Sequence, residues 1–272
     1  FFLGFSAGLP LLLVFTTLSI WLRELGLSRT TIGFISWIAI TYSIKVFWAP
    51  VVDCSSLFGL TLKFGRRRTW MLISMVGVAF GLIGMASVDP EDSTQLLIIF
   101  AFVTAFFSAT QDISIDAFRI ESAPAEIQGA LAAAYQLGYR MALLVAGAGA
   151  LYISDQVGWN VSYGIMAALM AVGITTVFFV PEPCPQYTAM KARSIRGWLR
   201  SSILKPFEDF FGRYGKYTFS IILFVAAYRI SDISMGIMAN PFYIDLGFTK
   251  SEIASVIKIF GFTMTIFGTF VG

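Results

Sequence analysis

Apolar stretches of about 20 residues, the length a helix needs to cross a bilayer, recur along the whole chain with short polar breaks. Only 13% of the residues are charged and 57% are apolar, against about 25% charged in a soluble domain. The alternating segments of about ten residues that build an outer-membrane barrel are not the pattern here. We therefore predict an all-α polytopic membrane protein with eight spans, at roughly 1–22, 31–52, 69–87, 95–118, 128–153, 160–180, 217–240 and 251–272.

The basic residues separate sharply between the two sides of the predicted membrane. The odd-numbered connections hold only Arg23, Arg29 and Lys250. The even-numbered ones hold twelve: Lys63, Arg66, Arg67, Arg68, Arg119, Lys191, Arg193, Arg196, Arg200, Lys205, Arg213 and Lys216. Basic loops stay in the cytoplasm. This pattern predicts that the even connections and the chain's N-terminal side are cytoplasmic, and it accounts for the net charge of +3 without nucleic acid as a partner.

An internal repeat predicts the architecture. The segment WLRELGLSRTTIGFIS, from Trp21, aligns with FYIDLGFTKSEIASVI, from Phe242, at an offset of 221 residues. Each copy joins two spans on the same side, so the seventh span repeats the first in the same orientation. Six spans per unit, repeated in parallel, are typical of the major facilitator fold. We expect a six-helix N-terminal half followed by the first two helices of a second half, with residues before Phe1 and about four further spans after Gly272 in the full protein.

The predicted domain boundaries follow from the longest connection. Residues 1–180 form the first bundle, 181–216 a cytoplasmic linker, and 217–272 the start of the second bundle. The linker opens with Pro181-Glu182-Pro183, which cannot continue a helix. Its second part mixes aromatic and basic residues, which indicates either a helix lying on the membrane surface or an ordinary solvated linker.

Charged residues inside the spans are the candidate functional groups, because a charge at membrane depth needs a partner, a water-filled cavity or a proton. Asp112 and Asp116 share one face of a helix, four residues apart. One hypothesis is that Asp112, with Asp116 beside it, takes up protons while Lys45 and Arg140 hold an anionic substrate. The other is that these four residues form salt bridges that hold the first half together or close its cytoplasmic gate. We favour a gate for Asp116 with Arg119, and substrate binding for Arg140 and Arg229, since guanidinium suits carboxylates.

The segment around Arg140 adds groups that suit a sugar. Tyr135, Gln136 and Tyr139 offer hydrogen bonds and flat apolar surfaces, although tyrosines in a span are often plain packing residues. Gly147 and Gly149 predict close helix contacts.

The chain contains no histidine, and its two cysteines, Cys54 and Cys184, fall in predicted cytoplasmic loops where thiols stay reduced. We predict no metal ion and no cofactor.

Several segments together resemble the AmpG-type muropeptide permeases of the major facilitator superfamily. They are LGFSAGLPLLL from Leu3, YSIKVFWAP from Tyr42, GRRRTW from Gly65, SATQDISIDAF from Ser108, LGYR from Leu137 and the Pro-Glu-Pro at 181–183. This resemblance covers the first 183 residues. It implies a bacterial inner-membrane symporter that uses the proton gradient to import N-acetylglucosaminyl-1,6-anhydro-N-acetylmuramyl peptides for cell-wall recycling, with consequences for β-lactamase induction. The matched motifs carry these candidate positions: Lys45, Gln111, Asp112, Asp116, Gly138 and Arg140.

The resemblance also implies a cytoplasmic gate. The superfamily carries an acidic residue followed by a Gly-Arg-Arg motif, and here Asp53 and Gly65-Arg66-Arg67 are the corresponding parts. An insertion, Cys54 to Phe64, separates them and weakens the case for a direct Asp–Arg contact. A bare arginine triplet beside a membrane is also common as a topology anchor.

Three other functions stay open. A related carrier could take another anionic cargo, such as acetyl-CoA, and the chain could be a non-transporting sensor. An enzyme is disfavoured because neither a metal-ligand cluster nor an activated nucleophile is evident, and a channel because the parallel repeat suits alternating access. The expected partners are the muropeptide, protons and the lipid bilayer, with the protein acting as a monomer.

Overall fold

Six helical segments are long and apolar enough to cross a membrane in the computed structural model, which describes residues 1–55, 58–183, 205–261 and 264. They are Phe2–Glu24, Arg29–Phe47, Arg66–Ser87, Ser93–Glu121, Ala125–Val157 and Trp159–Phe179. These segments coincide with the first six predicted spans. The described residues contain no β-strand, which confirms the predicted all-α membrane fold.

The helix bounds are needed to place the site. In chain order the α-helices are α1 (Phe2–Val14), α2 (Thr16–Glu24), α3 (Arg29–Ile35), α4 (Ile40–Ile44), α5 (Ala49–Cys54), α6 (Phe58–Phe64), α7 (Arg66–Ser87), α8 (Pro90–Glu121), α9 (Gln128–Leu144), α10 (Ala150–Val157), α11 (Trp159–Phe179), α12 (Lys205–Tyr214), α13 (Thr218–Asp245) and α14 (Lys250–Glu252). Two π-helical segments, Val145–Gly149 and Ile253–Phe260, continue α9 and α14. Helix α8 is kinked at Ser93, which has non-helical backbone angles.

The second span is less regular than the single helix predicted at 31–52. It consists of α3, α4 and α5 joined by the 3₁₀ turns Ser36–Ala39 and Lys45–Phe47. Pro50 is one cause, because proline lacks the N–H of a helix interior and favours the first turn of a new helix. The Ser36 hydroxyl also donates to the Ile32 carbonyl at 2.8 Å, a bond that competes with the regular helix. The interruption at Lys45 faces α8.

Helix α1 lies at the centre of the first bundle. It packs against α9 and α11, while α7 packs against α8 and α11. The fully buried side chains include Leu9, Leu13, Met75 and Tyr163, and the Tyr163 hydroxyl donates to the Leu13 carbonyl at 2.7 Å. This hydrogen bond satisfies the one polar atom of a large buried ring.

Glycines let α1 and α9 approach closely. A Cβ atom at Gly4 would lie 2.1 Å from the Tyr135 carbonyl oxygen, and one at Gly138 would lie 2.1 Å from that of Phe1. Gly8 meets the Tyr139 backbone in the same way. Gly149 differs from the prediction: the neighbour that a Cβ there would meet is its own helix's Val145, at an ordinary 3.8 Å. Gly149 and the buried Gly147 instead form part of the π-helical segment.

Helix α13 corresponds to the seventh predicted span. Its contacts with the first bundle lie near its last residues, where Asn240 is buried and donates to the Thr16 carbonyl at 3.1 Å. Near its start, Phe219 and Phe224 are exposed. Residues 184–204 and 265–272 lie outside the described residues, so most of the linker and the end of the eighth predicted span stay predictions.

Candidate functional site

A lysine and a carboxylate form an ion pair between the second and fourth spans. Lys45 Nζ lies 3.2 Å from Asp112 Oδ2, and both side chains are only partly exposed. Asp112 is nine residues before the end of α8, or about 13 Å along the helix axis. The 3₁₀ turn at Lys45 allows the lysine to project from α4 toward α8 at that depth. The two residues that sequence analysis placed in separate spans therefore form one charge-balanced unit.

A second set of charged groups lies further along α8, between the Lys45–Asp112 pair and the end of the helix. Arg119 Nη2 lies 3.5 Å from Asp116 Oδ1, one turn apart on the same helix. The Arg119 guanidinium also lies over the ring of Tyr135, 5.7 Å from its centroid, and Tyr135 packs beside Tyr139 on α9. These residues line the same side of α8 and α9 as Asp112. A row of protonatable, cationic and aromatic side chains therefore runs from the Lys45–Asp112 pair to the end of α8.

The predicted substrate residues on α9 divide by exposure. Gln136 and Arg140 are exposed, while Tyr135 and Tyr139 are half-buried. Among the described residues, none provides a carboxylate that pairs with Arg140. The Arg229 side chain lies outside the described residues, and its predicted role stays a prediction.

Gln111 occupies a different environment from the rest of the predicted site. Its side chain is fully buried, and its amide nitrogen donates to Ser6 Oγ at 3.0 Å. The amide oxygen has no hydrogen-bond partner among the described residues. Gln111 therefore joins α8 to α1 in this conformation rather than facing the exposed side of α9, and its substrate role stays a prediction.

The predicted gate residues meet around Arg67, at the end of the bundle that we call the arginine end. Arg67 Nη1 lies 2.6 Å from Asp53 Oδ1, and the guanidinium binds Glu121 through two nitrogens, at 2.5 and 2.9 Å. The Arg67 side chain is only 6% exposed. The insertion at Cys54–Phe64 does not prevent the Asp53 contact, because α6 lies within it and packs against α7. Arg66 contacts the same Glu121 carboxylate at 3.8 Å.

A third acid, Glu182 at the start of the linker, also lies at the arginine end. Its two carboxylate oxygens accept the backbone N–H groups of Arg67 and Arg68 at 2.8 and 3.0 Å, at the start of α7. Helix N-termini favour anions because their first N–H groups are unpaired. Gly65 leaves the space for this carboxylate: its φ is +87°, and a Cβ there would lie 2.3 Å from the Glu182 side chain.

Sequence reasoning did not assign the two acids Glu121 and Glu182 to the gate. Both lie far from the arginines in sequence, but each follows directly on an apolar span that ends on the same side as Arg66–Arg68. That shared side is the signal that could have identified them. Asp116 and Arg119, the other predicted gate residues, pair with each other and are not among the groups that contact Arg67.

Comparison with known families identifies the superfamily to which the chain belongs. The Major Facilitator Superfamily model matches residues 1–272, so the chain belongs to this superfamily. It is 35% identical to the protein named AmpG 4 of Rickettsia conorii (strain ATCC VR-613 / Malish 7), over 100% of this chain and 65% of that protein. It is 34% identical to the anhydromuropeptide permease of Escherichia coli (strain K12), over 99% of this chain and 53% of that protein.

These findings confirm the resemblance to the AmpG-type permeases. Together with the six apolar helices, they indicate a multi-pass membrane protein of this superfamily. The chain spans about two thirds of the Rickettsia relative and about half of the Escherichia coli relative.

Proposed function

We propose that the full protein is a proton-driven symporter that imports anhydro-muropeptides from the periplasm to the cytoplasm for peptidoglycan recycling. The observation that carries this proposal is the Lys45–Asp112 ion pair at membrane depth, in a chain that resembles the anhydromuropeptide permeases. Charged side chains inside a membrane raise the free energy of the protein, even when paired, and they commonly mark functional sites. Binding of a proton and an anionic cargo would give this pair such a function.

The pair supports an exchange between proton and cargo. When Asp112 takes up a proton, its attraction for Lys45 is lost, and the Lys45 ammonium becomes available to an anionic group. When the proton leaves, the restored carboxylate competes for Lys45 and promotes release of the cargo. Asp116, one turn further along α8 and paired with Arg119, would receive the proton next or stay neutralised by that arginine.

The exposed face of α9 supports a cargo that is both anionic and sugar-bearing. Arg140 can form bidentate hydrogen bonds with a carboxylate of the muramyl peptide. The nearby Tyr135 and Tyr139 rings offer apolar faces, and Gln136 a side-chain amide, for a sugar ring. Arg229 on α13 would approach from the second half, although its side chain lies outside the described residues.

The orientation belongs to the same proposal. The basic loops support a cytoplasmic location for the arginine end in the bacterial inner membrane. The Arg67 cluster then ties the second, third and fourth spans together on the cytoplasmic side. We propose that the protein works as a monomer, with both halves in one chain.

Uptake by the full-length protein in proteoliposomes tests the proposal. Labelled anhydro-muropeptide is followed with and without an inward proton gradient, in the unmutated protein and in the Asp112→Asn and Arg140→Ala variants. We expect gradient-driven uptake in the unmutated protein and at least about a tenfold loss in each variant, since each removes a charged hydrogen-bonding group. Arg213→Ala, which removes an exposed arginine on α12, is the matched control and should transport normally.

Two outcomes would contradict the proposal. If Asp112→Asn keeps undiminished, proton-driven uptake, Asp112 does not couple transport to protons. If the unmutated protein in sealed vesicles takes up no muropeptide, the cargo is wrong. Acetyl-CoA and other anionic solutes are then tested in the same vesicles, and an absence of any saturable flux would favour a sensor.

A further inference from the structure

The two copies of the internal repeat adopt the same local structure. Gly26 and Gly247 occupy equivalent positions and have positive φ angles of +79° and +87°. Two residues later, Ser28 and Thr249 each cap a helix: their hydroxyl oxygens accept backbone N–H groups at 3.1 and 3.2 Å. We call the end of the bundle where these turns lie the repeat end. It is opposite the arginine end.

The repeat also aligns two acids and two bases. At the offset of 221, Glu24 corresponds to Asp245, and Arg29 corresponds to Lys250. In the structure these residues pair across the two copies rather than within them. Lys250 Nζ lies 3.3 Å from Glu24 Oε2, and Arg29 Nε donates to Asp245 Oδ2 at 2.7 Å. Each acid therefore binds the base of the other repeat, which is the reciprocal pattern of a contact around a two-fold axis.

Other groups reinforce each pair differently. Arg23 Nε donates to the second oxygen of Asp245 at 2.5 Å, and this hydrogen bond holds the pKa of the Asp245 carboxyl below its usual range. On the other side, Trp159 Nε1 donates to Glu24 Oε2 at 2.6 Å, and Lys250 lies over the Trp159 ring, 5.0 Å from its centroid. Trp159 in turn stacks on Trp21 at 5.6 Å, within the first bundle.

These pairs lie where the second half of the chain contacts the first bundle. Helix α13 and the segment after it contact the first bundle at the repeat end, through α2, α3 and α10. Toward the start of α13, Phe224 and Tyr228 are exposed. Partly exposed ion pairs each contribute little to stability, so such a contact can open and close readily, unlike a dry apolar interface.

We infer that the pairs Glu24–Lys250 and Asp245–Arg29 are a reciprocal latch that holds the two halves together at the repeat end and opens when that end opens. The latch rests on the proposed transport function only for its role in the cycle. Whether the latch exists can be tested from the distance between the halves, without measuring transport.

A distance measurement tests the latch directly. Spin labels are attached to Ser87→Cys and Leu246→Cys, exposed positions in the two halves at the repeat end, in full-length protein whose native cysteines are replaced. Pulsed EPR then measures the label separation. Glu24→Lys or Arg29→Gln, each of which removes one pair between the halves, should lower the ratio of closed to open molecules by at least about two- to fivefold. The double variant Glu24→Lys with Lys250→Glu should restore it. Asp245 is left unchanged because it also pairs with Arg23.

The matched control is Asp209→Arg, which breaks the exposed Asp209–Arg213 pair on α12 and should leave the distances unchanged. Where a charge reversal yields no folded protein, Lys250→Gln removes the pair more mildly. An unchanged distribution in the single variants would overturn the latch, as would a failure of the double variant Glu24→Lys with Lys250→Glu to restore it. Uptake is measured on the same samples: distances that respond in a protein that moves no muropeptide would keep the latch and reject the proposed function.

Discussion

At the scale of single residues, Arg67 is the most constrained charge in the described part of the chain. It is almost completely buried, and its guanidinium is shared by Asp53 and Glu121 from two other spans. Five donors in a fixed plane allow one arginine to satisfy both carboxylates at once. A lysine at this position could not reproduce the arrangement, because it offers a point charge on a flexible stem.

Replacement of Glu121 by Gln should weaken this cluster. The variant keeps the size of the side chain but removes the charge that binds Arg67 twice, and we expect about 1–3 kcal/mol of lost stability, since a buried charged donor is left poorly satisfied. The thermal unfolding temperature of the purified protein measures the effect. Glu126→Gln, a change at an exposed acid nearby, is the matched control. Equal unfolding temperatures in the two variants would show that Glu121 does not stabilise the cluster.

At the scale of elements, the crossing of α1 and α9 depends on glycine. Backbone carbonyl oxygens of each helix lie where a side chain of the other would have to be, at Gly4 and at Gly138. Small residues at such a crossing gain close van der Waals contact, which is the main attraction between helices within a membrane. The crossing also fixes the rotation of α9, and with it the direction of Arg140.

Gly138→Ala should therefore force the two helices apart. The added methyl would lie 2.1 Å from the Phe1 carbonyl oxygen, a backbone atom that cannot move alone. We expect about 1–3 kcal/mol of destabilisation from overpacking, seen as a lower unfolding temperature and a lower yield of folded protein. Gly129→Ala, on the same helix but with open space around it, should be neutral. A Gly138→Ala protein as stable as Gly129→Ala would rule out the close contact.

The sequence was sufficient to predict the elements that depend on local pattern. The first six spans and the equivalence of the turns at Gly26 and Gly247 follow from hydropathy and from the repeat. The division of the second span at Lys45 does not, because it depends on contacts with α8 that hydropathy does not record. The π-helical segment at Val145–Gly149 is equally invisible to a pattern of apolar residues.

The sequence was sufficient to predict which residues belong to the candidate site, but not all of the contacts between them. Lys45 and Asp112 were both expected in a charged cluster, since buried charges need partners. Glu121 as the partner of Arg67, and Gln111 as a buried link to Ser6, require knowledge of which helices are neighbours. Sequence alone supplies the side of the membrane for each residue but not the order of the helices around the bundle.

At the scale of the whole molecule, the two ends of the bundle differ in charge and in chemistry. The arginine end is rich in basic residues and holds one buried cluster within the first half. The repeat end has few basic residues, and those are engaged in pairs between the halves. This asymmetry is the basis of the proposed orientation.

Cysteine labelling tests the orientation. In protein whose native cysteines are replaced, Thr30→Cys lies at the repeat end and Glu126→Cys at the arginine end, and both positions are exposed. A membrane-impermeant maleimide added from the periplasmic side should modify the Thr30→Cys protein, and should modify the Glu126→Cys protein only after the inner membrane is permeabilised. The reverse pattern would invert the topology. Denatured samples provide the control that both thiols are reactive.

The reciprocal pairing at the repeat end has a consequence for how such sequences change over evolutionary time. An acid and a base, each present once per repeat, are enough to build both contacts, so a single ancestral six-helix chain with one of each could have made the whole contact with a second copy of itself. After fusion the two contacts are independent. Substitutions at 24 should then be compensated at 250, and those at 245 at 29, so that the partners coevolve across the halves rather than within them.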